Sequence, residues 1–100
     1  MRVKARMKKE MAEVKMLIKH PMETGLRKDK KTDELIPAKF IQEVICKHGD
    51  KVVFEANFGR AVSKNPYLAF NFSGAKSGDK ISLSWLDNTG ATESVEEEIR

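Results

Sequence analysis

Apolar and polar residues alternate with a period of two along most of the chain, the spacing of strands that bury one face, rather than the 3.6 of helices. Val3, Ala5 and Met7 oppose Arg2, Lys4, Arg6 and Lys8; Val14, Met16 and Ile18 then oppose Glu13, Lys15 and Lys19, with Lys9-Glu10 as the hairpin turn between them. Phe40 to Lys47 and Val52 to Phe58 read as a second hairpin around His48-Gly49-Asp50-Lys51, whose Gly and Asp suit a tight turn. Leu68, Phe70 and Phe72 mark a fifth strand, and Ile81, Leu83 and Trp85 a sixth. Val95 and Ile99 mark a weaker seventh after the Asp87-Asn-Thr-Gly90 turn. About seven short strands with turn signals between them and no helical window predict an all-β, immunoglobulin-like antiparallel two-sheet sandwich, with a small open barrel as the alternative. A single domain over residues 1–100 is expected.

Two places depart from the pattern. The third strand is apolar on both sides, Phe40 and Val44 against Ile41 and Ile45, which predicts cover by a partner or a second layer; the outward candidates are Leu17 and Ile41 or Ile45, depending on which face each strand buries. Between His20-Pro21 and Ile36-Pro37 lies a segment, 20–37, too long for an ordinary connection, with a hydrophilic crest Arg27 to Glu34 flanked by Leu26 and Leu35. It predicts a projecting loop or β-ribbon. Trp85 is expected in the core.

Charge is uneven. The 100 residues hold 19 Lys/Arg against 15 Asp/Glu, a net +4. Residues 1–31 hold 11 basic against 4 acidic (11 − 4 = +7) and residues 32–100 hold 8 against 11 (8 − 11 = −3). Because the basic residues alternate with Val3, Ala5 and Met7, a solvated strand face is the first reading. Runs such as Tyr67 to Phe70 fall far short of a membrane helix, and the opening residues interleave charge with single apolar positions instead of forming an export signal. The lone cysteine, Cys46, excludes an internal disulfide, and taken alone points to the cytoplasm.

Catalytic raw material is thin. Ser73-Gly-Ala-Lys76 matches a Ser-x-x-Lys pattern but sits in a turn without companion motifs. Glu43 and Glu55 show nothing that would raise a carboxyl pKa. Cys46 and His48 could share a strand face, yet two ligands do not make a metal site. Asn71-Phe-Ser73 is a glycosylation sequon inside a strand. The aromatics fall at core spacing, not among the lysines, which argues against nucleic-acid binding. No catalytic residue, cofactor or metal is expected.

Two stretches go beyond pattern: Ile18-Lys-His-Pro-Met-Glu-Thr-Gly-Leu-Arg-Lys-Asp-Lys-Lys31 running on to Glu34-Leu-Ile-Pro37, and Ala61-Val-Ser-Lys-Asn-Pro-Tyr-Leu-Ala-Phe70. Both resemble the SoxZ family, and the similarity runs from Met1 to Trp85. The resemblance implies a non-catalytic subunit of a periplasmic carrier complex in thiosulfate oxidation. Its partner, SoxY, holds the sulfur substrate on a cysteine in a glycine-rich arm, forms a heterodimer with it, and is visited by other sulfur-oxidising enzymes. It further implies co-export with that partner and leaves a homodimer open when the partner is absent; no nucleic acid and no membrane are expected, on the segregated aromatics and the short apolar runs above. No glycine-flanked cysteine appears near Glu96-Glu-Glu-Ile-Arg100, and Cys46 falls in mid-strand, so neither offers a carrier thiol. His20, Pro21, Met22, Glu23, Thr24 and Gly25, with Ser63, Lys64, Asn65, Pro66 and Tyr67, become the candidate docking surface. The other reading is an independent binding module for a polyanion, using the basic N-terminal strands.

Overall fold

A computed structural model describes residues 1–59 and 62–100. Ala61, which opens the second of the two stretches, lies outside the described residues. Among the described residues seven strands form: β1 (Arg2–Lys8), β2 (Met11–Leu17), β3 (Ile41–His48), β4 (Lys51–Asn57), β5 (Tyr67–Ser73), β6 (Lys80–Asp87) and β7 (Thr92–Glu98). They build two antiparallel sheets, β1-β2-β5 and β4-β3-β6-β7. The chain therefore changes sheet after β2, after β4 and after β5, the interleaving of an immunoglobulin-like sandwich.

Alternation places the core. Ala12, Val14, Met16 and Ile18 from one side meet Ile41, Val44, Cys46, Ile81, Leu83 and Trp85 from the other, all buried. Phe54 and Phe70 stack across the two sheets with ring centroids 4.2 Å apart. Lys9 takes the left-handed backbone (φ 59°) that closes a two-residue hairpin between β1 and β2. Ile99 is buried beyond β7, and main-chain bonds from Arg100 to Ala5 and from Met7 to Arg100 join the two sheets along that side.

The third strand corrects the expectation drawn from strict alternation. A β-bulge between Ile41 and Glu43, where β3 pairs with β6, moves the register by one residue. Ile41 thereby joins Val44 and Cys46 inside, Ile45 is half-buried and Phe40 packs at the core's margin. The double-sided apolar strand thus needs no partner to cover Ile41. Leu17 remains outward, 40% exposed.

Residues 20–37 belong to the crossover from β2 to β3. Glu23 and Lys39 exchange main-chain hydrogen bonds at its base, and Lys28 pairs with Leu35 nearer its tip. Seven-residue strands are about 24 Å long, whereas the molecule measures 52 × 21 × 17 Å. The paired crossover carries Leu26 and Leu35 into solvent.

Candidate functional site

The β2-to-β3 and β4-to-β5 crossovers meet at one end of the sandwich, where β2 ends and β5 begins. Main-chain and side-chain bonds join them. Asn65 donates its N–H to the His20 carbonyl and accepts the His20 N–H on Oδ1, both at 3.0 Å, and Ile18 donates to the Pro66 carbonyl. The reciprocal pairing needs Asn65 at a positive φ (53°), a conformation asparagine tolerates better than most residues.

Beneath this junction lies a buried polar knot. His20 is 2% exposed, and its Nε2 lies 3.0 Å from Asp87 Oδ2. The Met22 N–H donates to His20 Nδ1, so the ring proton sits on Nε2 and is donated to the carboxylate. Asp87 Oδ1 accepts from the Thr89 hydroxyl and from the N–H groups of Thr89 and Ala91. Lys39 Nζ adds a charge 3.6 Å from Oδ2. Burial by itself pushes the Asp87 carboxyl upward, but the bonds from Thr89, His20 and Ala91 outweigh it and hold the group well below the usual carboxylate range. Trp85 stands edge-on to the His20 ring, with centroids 5.1 Å apart. Next in the turn, Asn88 bonds Phe40 N and the Ala38 carbonyl. Asp87 and Asn88 thus clamp the two ends of the long crossover with adjacent side chains.

Above the knot, a cleft of about 590 Å³ opens between Pro21, Met22, Glu23 and Thr24 on one wall and Val62, Ser63 and Lys64 on the other, with Arg27 at its edge. The hydrogen bond from Arg27 holds the Glu23 carboxyl below its ordinary range. The structure therefore brings the two stretches together but divides their roles. His20, Met22 and Pro66 are buried supports; Pro21, Ser63, Lys64, Asn65 and Tyr67 are exposed; Glu23, Thr24 and Gly25 are half-buried. Gly25 has φ +86°, and a Cβ there would approach that of Ala38 to 3.1 Å, so a side chain at this fold-back would strain the backbone and crowd Ala38. Asp87, Asn88 and Lys39 were not among the sequence candidates. The available signal was Asp87 at the head of a turn, a position where Asp caps the following N–H groups.

The other sequence candidates are placed elsewhere. Cys46 is fully buried, and burial pushes its thiol up to about 12. A thiol reagent such as DTNB is expected to leave Cys46 untouched in the native protein and to titrate one thiol in denaturant; rapid native labelling would contradict the packing. His48 keeps the strand face of Cys46, but its Nε2 lies 2.9 Å from Asp79 Oδ2; the second bulge, facing Cys46 and Lys47, puts its extra residue, Val53, in β4. Ser73 and Asn71 are exposed in β5, and Lys76 lies in the turn that follows it.

Curated proteins gave no match to the chain. Residues 1–98 match the family described as sulphur oxidation protein SoxZ; the chain belongs to that family, and its role is in sulphur oxidation.

Proposed function

We propose that this chain is the non-catalytic subunit of a sulfur-compound carrier complex: a rigid platform that binds a SoxY-like partner and presents that partner's cysteine arm to other enzymes of thiosulfate oxidation. The observation that carries the reading is the state of Cys46, whose buried thiol is held in its uncharged form. A sulfur carrier needs an accessible thiolate, so the thiol must come from another chain. The rest of the geometry suits a platform. The two stretches that resemble SoxZ are 45 residues apart at His20 and Asn65, yet meet at one surface fixed by a buried hydrogen-bond network. Such a network supplies orientation rather than turnover, because both ring nitrogens of His20 are already engaged inside the protein. The complex works in the periplasm, and the cleft between Pro21 and Lys64 is its docking surface. Mixing the chain with the cysteine-arm subunit is expected to give a one-to-one complex on size exclusion. Recovery of two separate monomers, or thiosulfate turnover by this chain alone, would overturn the proposal.

A further inference from the structure

The outer face of the β1-β2-β5 sheet carries an electrostatic conflict that the chain does not resolve by itself. Arg2, Lys4, Arg6 and Lys8 of β1 and Lys15 of β2 all point away from the core. Arg6 and Lys15 share one carboxylate, Glu13, at 3.3 and 3.7 Å. Arg2, Lys4 and Lys8 have no ion-pair partner among the described residues. In the β1-β2 register Lys4 stands directly opposite Lys15, and like charges so placed destabilise a sheet.

Two clefts reach this face, of about 600 and 260 Å³, and both lysines line each of them; the larger continues around the β1 edge, where Ala5, Glu97 and Arg100 join Glu13 in its lining. The smaller runs up to Leu17 and Tyr67, which lie side by side across β2 and β5 and are 40% and 59% exposed. Leu17 and Tyr67 supply the apolar and aromatic anchor of a protein interface, and the lysines beside them a charged rim that steers an acidic partner. Tyr67 also belongs to the candidate docking surface, so the two areas are continuous.

We propose that this face docks an acidic surface of the partner subunit, whose carboxylates sit over Lys4 and Lys15 while an apolar side chain packs on Leu17 and Tyr67; the inference rests on the partner reading above. A polyanionic nucleic acid suits the face less well. Tyr67 is the one aromatic among the described residues that line the clefts, whereas strand binding needs successive stacking platforms. A second copy is also a poor fit. Glu93 and Glu96 of β7 are already held by the N-terminus and by Lys80, and a basic face meeting an acidic face on the opposite sheet would not close into a dimer.

The test is Lys4→Glu in the full chain, measured for thermal stability alone and for affinity to the purified cysteine-arm subunit at low and physiological salt. Removing the Lys4–Lys15 conflict is expected to raise the Tm of the isolated chain by about 1 to 5 °C. Binding should weaken by about tenfold or more at low salt, mainly through slower association, and the wild-type affinity should fall as salt rises. Unchanged affinity in a variant of unchanged or higher Tm would remove this face from the interface while leaving the partner reading intact. Absence of any wild-type complex would remove both. Loss of heparin retention with full partner binding would assign the face to a polyanion and overturn the inference, as would a lowered Tm.

Discussion

Replacing Asp87 by alanine is expected to cost about 3 to 5 kcal/mol of unfolding free energy, the range for removing one partner from a buried charged network. Asp87 is 2% exposed, and its two oxygens receive His20 Nε2, Thr89 Oγ1 and the main-chain N–H groups of Thr89 and Ala91. Truncation leaves those donors facing a void, and each unsatisfied buried donor costs about 1 to 3 kcal/mol. A domain of this size has about 5 to 15 kcal/mol in total, so the variant should lie close to the folding threshold in urea. Asp87→Asn separates charge from shape. Its oxygen can still accept from Thr89 and Ala91, but its amide would face the Nε2–H of His20, donor against donor, so a smaller loss is expected. The pH dependence has a definite sign. The folded carboxyl lies below its unfolded value of about 3.9. Its contribution is therefore complete above that value and is lost as pH falls toward the folded pKa. Acid should destabilise wild type below about pH 4, and Asp87→Asn should lose that part of the dependence. A flat wild-type profile in this window would contradict the network.

Leu83→Ala is expected to cost about 2 to 5 kcal/mol through lost apolar burial and the cavity left behind. Leu83 is fully buried at the centre of the larger sheet, opposite Cys46 of β3 and Val95 of β7. Both flanking strands are hydrogen-bonded to β6, which limits collapse around the gap. Leu83→Met, nearly equal in volume, should cost less than about 1.5 kcal/mol. A shallow effect of Leu83→Ala in guanidinium unfolding would show that the two sheets close over the missing side chain. Neither position touches the basic face, so a Leu83→Met protein should bind the partner as wild type does.

Strand identity was legible because each buried set, such as Val14, Met16 and Ile18, falls on every second residue. The failure at Ile41 has a single cause. One extra residue at a bulge inverts the face assignment of everything before it, and nothing in Phe40-Ile-Gln-Glu43 marks that insertion. The candidate site was legible only as two separate stretches. Their meeting depends on which sheet each strand joins, and the sequence pattern carries no pairing information for β2 and β5. Histidine before proline looks like a surface turn; it is buried here because Asp87, 67 residues away, supplies an acceptor inside the fold. The unbalanced charge of β1 and β2 was visible from the start, but the opposition of Lys4 and Lys15 required the register.

The most direct test of a platform that contributes geometry and no thiol is native mass spectrometry of the assembled complex carrying a sulfur adduct. A one-to-one assembly is predicted, with the added mass wholly on the partner and Cys46 unmodified after dissociation. An adduct on Cys46, or a chain that never leaves the monomer when the cysteine-arm subunit is in excess, would contradict it.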